Sequence, residues 1–407
     1  MNRREALSLL ASLPLAARLQ AQTRPTAEHR VVLSQGHGFL IGPDGTLKAW
    51  VNAPGAREEE AAPDVLGLGH NRPVFSHTLY PVPGVTKVVA AAAGAGASFA
   101  VLADGRVLAW GPSGRGILGT TPLAEFEERA QPRARTNTPT PVAVRFDAVD
   151  VSCTGDHALA LARDGSVYAW GYGTSGQLGI GPLPVVNFRT RTPSAMPEVP
   201  YPVRVPDLAE VIASKAGARH SLALRKDGTV LAWGDNTHGQ VGDGTTVNRD
   251  RPVVVRGVRN AVAIAAGSYF SVVVLADGTV MEWGATYTNL EPRTGAAVLP
   301  GVRGAKSVVA GNGHAAVITQ TGGVITWGQN SHYETGRGRN AGLAPAPLKG
   351  LTDARFLAVS TSQTIAVLGS GRMMTWGEVR EWTRPDAGGA GLSPFPILLW
   401  LDGLEQA

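Results

Sequence analysis

One cysteine, Cys153, stands in 407 residues, so no internal disulfide framework can exist, and none lies near the N-terminal cleavage region to carry a lipid. Only 17% of the residues are charged, and the formal net charge is +5. That charge is too mild for a nucleic-acid partner. After the N-terminus no segment approaches 18 uninterrupted apolar residues, which argues against a membrane span. Metal-ligating spacings such as HxH, HExxH and CxxC are missing, as are a Gly-x-Ser-x-Gly elbow and a glycine loop ending in Gly-Lys-Ser or Gly-Lys-Thr. The sequence therefore offers no catalytic set, no metal site and no cofactor, and it does not identify an enzyme.

What is present is turn chemistry and repetition. Gly 51 and Pro 28 in a chain that is 43% hydrophobic describe many short strands joined by turns. A phrase ending in tryptophan recurs seven times, for example Asp164-Gly165-Ser-Val-Tyr-Ala-Trp170-Gly171 and Asp227-Gly228-Thr-Val-Leu-Ala-Trp233-Gly234. Trp50, Trp110, Trp170, Trp233, Trp283, Trp327 and Trp376 are spaced 60, 60, 63, 50, 44 and 49 residues apart, the spacing of propeller blades or solenoid units. Stacked units share one core, so the repeats read as one large domain.

Within a repeat, Ser-Leu-Ala-Leu and Thr-Val-Leu-Ala-Trp alternate with a period of two, the mark of strands with one side chain of each pair in a core. The Asp-Gly between them predicts a tight hairpin, with glycine supplying a left-handed backbone and aspartate bonding its own turn amides. Asp44, Asp104, Asp164, Asp227 and Asp277 are thus turn residues and not paired catalytic carboxylates. Seven residues before the turn acid stand His37, His157 and His220, and His314 holds the matching place before Thr321; Ala97, Phe270 and Gln363 fill it elsewhere. One histidine per blade at one equivalent position reads as structural, because a metal needs three or four ligands converging on a point. The tryptophans read as wedges between sheets, each contributing on the order of 2 to 3 kcal/mol by burial.

The unit from Gly217 through His220, Asp227-Gly228, Trp233-Gly234, Asn236 and Gly239-Gln240-Val-Gly242 resembles the repeat of the regulator of chromosome condensation family. Leu66-Gly-Leu-Gly69 and Ser175-Gly176-Gln177-Leu-Gly179 are further specific pieces, Leu118-Gly119 is a weaker echo, and repeats five to seven keep Trp-Gly but lose Gly-Gln-Leu-Gly. The resemblance covers nearly the whole chain after its N-terminus. It implies an all-β fold, a seven-bladed β-propeller of four-stranded antiparallel blades. It implies no single activity, since the family spans nucleotide exchange, light sensing, ligase-associated domains and enzyme inhibition.

Residues 1–21 combine Arg3-Arg4, an apolar stretch and small residues up to Ala21, which reads as an export signal of twin-arginine type with a general secretory signal as the competing reading. Removing Arg3, Arg4, Arg18 and Glu5 would leave 34 basic and 31 acidic residues, a net charge of +3. Residues 22–30 read as a linker. The propeller is then residues 31–407, with repeats near 31–87, 88–148, 149–208, 209–260, 261–305, 306–354 and 355–407. The expected location is periplasmic or extracellular.

The segments after each Trp-Gly emerge at the end opposite the Asp-Gly turns. They carry Tyr172, Asn236 with His238, Tyr287, His332 with Tyr333, and Trp382, a mixture that protein-binding surfaces favour. Two long connections, residues 120–147 with Arg133 and Arg135 and residues 182–206 with Phe188, Arg189 and Arg191, add contact candidates. The acidic run Glu58-Glu59-Glu60 reads as a solvated face. The resulting expectation is an exported, non-enzymatic scaffold that binds a macromolecule, most readily a protein, through loops on one face. Two other readings stand beside it: a secreted enzyme of polysaccharide or lyase type with its site at the channel mouth, and a carbohydrate-binding module. The strand in Pro394–Leu401 and the one beginning at Arg30 are expected to pair in one blade, so that deleting residues 394–407 would open the ring.

Overall fold

A computed structural model describes residues 29–34, 36–51, 63–70, 74, 78–112, 114, 116–122, 136–182, 198–286, 291–378 and 392–398. Seven separate four-stranded antiparallel sheets are arranged as the blades of a propeller, each a meander in chain order. Blades 1 to 7 span residues 30–81, 88–141, 148–204, 211–254, 261–298, 305–347 and 354–398. Strands a to d run from the central channel outward in every blade. Blade 4 shows the pattern: a is Val211–Ala216, b His220–Arg225, c Val230–Gly234 and d Arg249–Val254.

Strands b and c are buried along nearly their whole length, so the period of two is an alternation of size and not of exposure. Leu222 and Leu224 pack toward blade 5 with Val273 and Trp283, whereas Ala223, from the other face of the same strand, packs toward blade 3 with Leu159 and Leu161. Each sheet thus has two buried faces, and each pair of neighbouring blades shares one hydrophobic cluster. Outer strands carry Pro139, Pro141, Pro200, Pro202, Pro252 and Pro347, which remove backbone donors from what would otherwise be pairing edges.

The Asp-Gly hairpin follows its expected chemistry. Asp227 Oδ1 accepts from the Thr229 amide at 2.8 Å, Gly228 N donates to Arg225 O at 3.0 Å, and Gly228 adopts φ +82°. A β-carbon at Gly228 would also lie 2.7 Å from Asn260 Cα, at the start of the next blade. The glycine is therefore fixed twice, by its left-handed backbone and by the chain that passes against it.

Every tryptophan of the repeat is essentially fully buried. Trp233 Nε1 donates to Gln177 O of blade 3 at 2.9 Å, and Trp283 Nε1 donates to Gln240 O of blade 4 at 2.8 Å. The same two carbonyls accept from Ser221 Oγ and Ser271 Oγ. Those hydroxyls in turn face His157 Nε2 and His220 Nε2, each at 2.9 Å. Because the serine proton goes to the carbonyl, the histidine must donate through Nε2, and a four-residue node crosses the blade boundary. His37 with Ser98 and His314 with Thr364 repeat the pairing. At the remaining three boundaries the partners are Ala97 with Ala158, Phe270 with Ala315, and Gln363 with Gly38; histidine occurs only where the following blade supplies a hydroxyl.

The repeat turn persists in two blades whose letters depart from it, and one expectation needs correction. Blade 6 keeps the turn geometry that its sequence conceals. Glu334 O accepts from Trp376 Nε1 at 2.9 Å, Gly336 lies against the Trp376 ring as Gly242 lies against Trp283, and Tyr333 takes the left-handed place of Gly239 with φ +64°. In blade 1 the acceptor is Val65 O and the clamping glycine is Gly67, two residues before the Gly69 that ends the Leu66-Gly-Leu-Gly69 piece. The chain ends also do not share a blade. Arg30–Leu33 is the inner strand of blade 1, and Leu392–Leu398 is the outer strand of blade 7, paired with Met373–Glu378. Val31, Leu33 and Leu40 pack against Ile365, Val367 and Met373, so side-chain packing and not a shared sheet joins blades 7 and 1.

Candidate interaction face and central channel

The propeller has two unlike ends. One holds the Asp-Gly turns and the links between blades. The other holds the a–b turns around the channel mouth and, outside them, the c–d loops. Backbone bonds join these two rings, as in Tyr172 N to Asp156 O, Asp235 N to Arg219 O and Ala285 N to Tyr269 O.

Just before the repeat's histidine position, the a–b turns place Gly36, Gly96, Asp156, Arg219, Tyr269, Gly313 and Ser362 in blades 1 to 7. Charge and aromatic surface at this position are confined to blades 3, 4 and 5. Tyr269 is 48% exposed, and its ring centroid lies 4.9 Å from that of His238, tilted by 48°. His238 comes from the c–d loop of blade 4, so the pair bridges two blades.

That loop is rigidly built. Asn236 is fully buried; its Nδ2 donates to Thr245 O and Val247 O, and its Oδ1 accepts from Val241 N. The surface role expected for Asn236 is therefore wrong, because its amide satisfies the loop backbone from within. Asp243 holds Arg249 at 2.6 Å, Asp235 Oδ1 accepts from Thr237 N and Oγ1, and Gln240 Oε1 accepts from His238 N. Gly239 meets Arg293 O of blade 5, and Gly244 N donates to Thr294 O. His238 is thus presented on a loop anchored at both sides.

The other candidate residues divide. Tyr172 is partly exposed on blade 3, and His332 is exposed on blade 6, 3.4 Å from Glu334 Oε1 through Nδ1. Tyr333 is buried, with its hydroxyl accepting from Arg339 Nε at 2.8 Å, and serves the turn instead of the surface. Tyr287, Trp382, Arg133, Arg135, Phe188, Arg189 and Arg191 lie outside the described residues, as do residues 1–28, where an export signal was expected. Sequence reasoning missed Tyr269 and Arg219 because it followed only the segment after Trp-Gly. Aligning the residue before each repeat's histidine position would have found them.

Buried ionisable groups are poor candidates for catalysis. Burial pushes the His37 and His157 imidazoles down to about 3 and those of His220 and His314 to about 4, so all four are neutral at pH 7. Burial, reinforced by the Asp156 charge, pushes the Cys153 thiol up to about 12, which leaves it unreactive. Among the described residues no group of three or more His, Cys, Asp or Glu could hold a metal. No helix among them is long and apolar enough to cross a membrane.

Comparison with known proteins agrees with this architecture. The sequence profile of the regulator of chromosome condensation (RCC1) repeat matches residues 104–161, 164–224 and 227–274. A second profile of the same repeat matches 148–177, 212–240 and 305–334. The chain is 37% identical over 164 residues to the probable E3 ubiquitin-protein ligase HERC6 of Homo sapiens, covering 40% of this chain and 14% of that protein. It is 36% identical over 99 residues to the ultraviolet-B receptor UVR8 of Arabidopsis thaliana, covering 24% of this chain and 20% of that protein. The chain thus matches only a small part of the length of either relative. Among solved structures, human WBSCR16 aligns with a TM-score of 0.67 at 22% identity, over 82% of this chain and 87% of that one. A structure of Kap60 bound to yeast RCC1 (Prp20) aligns with a TM-score of 0.66 at 17% identity, over 94% and 86%. These structural likenesses speak for the fold alone.

Proposed function

We propose that this chain, which belongs to the regulator of chromosome condensation repeat family, is an exported, non-enzymatic propeller scaffold that binds a protein through the end carrying its a–b turns. The contact surface is the sector of blades 3 to 5. The observation that carries this reading is the exposed His238–Tyr269 pair, held on an anchored loop and flanked in the fold by Arg219, Asp156 and Tyr172. Rigid aromatic groups give contact area with little loss of side-chain entropy, and a nearby cation and anion supply orientation. Solved relatives of the same fold are described in complex with Kap60 and in terms of binding Gsp1p and histones, which is a precedent for propellers of this shape as protein-binding bodies. The Arg3-Arg4 pattern and Ala21 motivate export to the periplasm or beyond.

The test is affinity capture from envelope and culture-medium extracts with residues 22–407 and with a variant carrying Tyr172→Ala, His238→Ala and Tyr269→Ala. A protein retained by the parent and lost by an equally stable variant is the expected result. A partner held equally by both, or one displaced only by changes at the Asp-Gly end, would contradict the assignment of the face.

A further inference from the structure

At the a–b turn end the channel holds a cavity of about 500 Å³, within the range of small-molecule sites. Its wall comes from the inner strands. Register with strand b makes Val32, Ala92, Ser152, Lys215, Ala265, Val309 and Ala358 equivalent in blades 1 to 7. Six of the seven are small or apolar, and the seventh places an ammonium in the cavity wall.

Lys215 Nζ lies 3.4 Å from Asp150 Oδ2, and both side chains remain more than a third exposed. A partly exposed ion pair of this kind contributes little to stability, so stapling blades 3 and 4 is a weak reason for placing two charges along a channel. Asp150 is also within the electrostatic reach of Arg30, whose Nη1 donates to Val89 O. One carboxylate is thereby shared between two cations, and the ammonium keeps donors to spare. At the rim, Arg219 and Asp156 oppose each other in charge among the polar side chains of Ser268, Asn312 and Thr361. The walls from blades 5 to 7 are apolar at Ala265, Val309 and Ala358.

We propose that this cavity binds a small organic monocarboxylate with an apolar body, its carboxylate on Lys215 Nζ and its body against Ala265, Val309 and Ala358. A single accessible ammonium suits one negative charge. The adjacent Asp150 carboxylate repels a multiply charged anion such as phosphate, and the apolar wall gives no partner to a fully polar ligand. The proposal does not rest on the protein-binding reading, although Arg219 and Asp156 at the rim also belong to that face.

Hexanoate is the probe, titrated calorimetrically into the full chain and into Lys215→Met, Lys215→Arg and Val309→Phe variants. Saturable one-to-one binding is expected for the parent and for Lys215→Arg, with affinity reduced by about tenfold or more in Lys215→Met. Val309→Phe, which adds bulk to the wall without touching the charge, should also weaken binding at a temperature where the variant is fully folded. Hexylamine and inorganic phosphate should not displace the probe. Absence of saturable binding to the parent, equal affinity in Lys215→Met, or displacement by phosphate would each overturn the proposal.

Discussion

His220 Nε2 stands 2.9 Å from Ser271 Oγ across the boundary between blades 4 and 5, and both side chains are fully buried. The serine passes its proton to Gln240 O, the carbonyl that also accepts from Trp283 Nε1. One hydrogen-bonded node therefore ties strand b of one blade to strands b and c of the next through the first blade's own c–d loop.

Removing half of this pair should cost more than removing all of it. Ser271→Ala leaves the His220 N–H buried without its acceptor, a loss of about 1–3 kcal/mol. The chain already contains an apolar solution, Phe270 facing Ala315 at the next boundary. The double change His220→Phe with Ser271→Ala is accordingly expected to recover part of the stability lost by Ser271→Ala alone. Urea denaturation of the two single variants and the double variant measures the coupling; additive losses would contradict it.

Two glycines in equivalent turns should respond differently. Gly228 and Gly371 have φ of +82° and +83°, so alanine at either pays the left-handed penalty of about 1–2 kcal/mol. Only at Gly228 would the new β-carbon meet backbone, since Gly371 has open space there among the described residues. Gly228→Ala is expected to lower the melting temperature clearly more than Gly371→Ala. Equal shifts would mean that the turn's own conformation, and not the passing chain, sets the requirement.

Stability should fall with acid well before the carboxylates titrate. The four buried histidines are held at about 3 to 4 in the folded protein against an ordinary 6.5, so the unfolded chain takes up protons that the folded chain refuses. Their contribution is complete above about pH 6.5 and is lost as pH falls, toward about 4 for His220 and His314 and toward about 3 for His37 and His157, at about 1.4 kcal/mol per pH unit for each histidine. The turn aspartates, held below their ordinary 3.8 chiefly by turn hydrogen bonds, add their loss only at lower pH. Urea midpoints at about pH 7, 6 and 5 should fall steadily, and more gently in a His220→Gln variant. A flat profile over that interval would exclude the mechanism.

The propeller, its seven blades and the turn role of the aspartates were legible because each is written in local repeats: a fixed tryptophan, an Asp-Gly pair and strand-length alternation. The nodes were not legible, because their parts come from two blades about 50–65 positions apart, and a histidine looks idle until the next repeat's serine is placed beside it. The blade 6 turn was hidden for a related reason. Tyr333 and Glu334 break the letters Gly-Gln, whereas the turn needs only a left-handed residue followed by a carbonyl aimed at Trp376. On the candidate face, His238 was visible in its repeat, and Tyr269 emerged only when the fold set it against His238.

The seam between blades 7 and 1 predicts unequal effects of trimming. Loss of residues 392–407 removes the described outer strand of blade 7 and leaves the packing of Val31 and Leu33 on Ile365 and Val367 in place. Its effect should be local, read as faster amide exchange in Met373–Glu378. Deleting through Leu33 removes the inner strand of blade 1 and its half of the seam, and should lower the melting temperature of the whole ring. The reverse order would contradict this closure.

Hydrogen exchange of the full chain, free and with its captured protein partner, is the most direct test of the scaffold account. The account predicts slowed exchange confined to the a–b turn end of blades 3 to 5, around residues 172–175, 217–219, 235–240 and 267–269, with the Asp-Gly turns unchanged. Protection centred on those turns, or spread evenly around all seven blades, would contradict it.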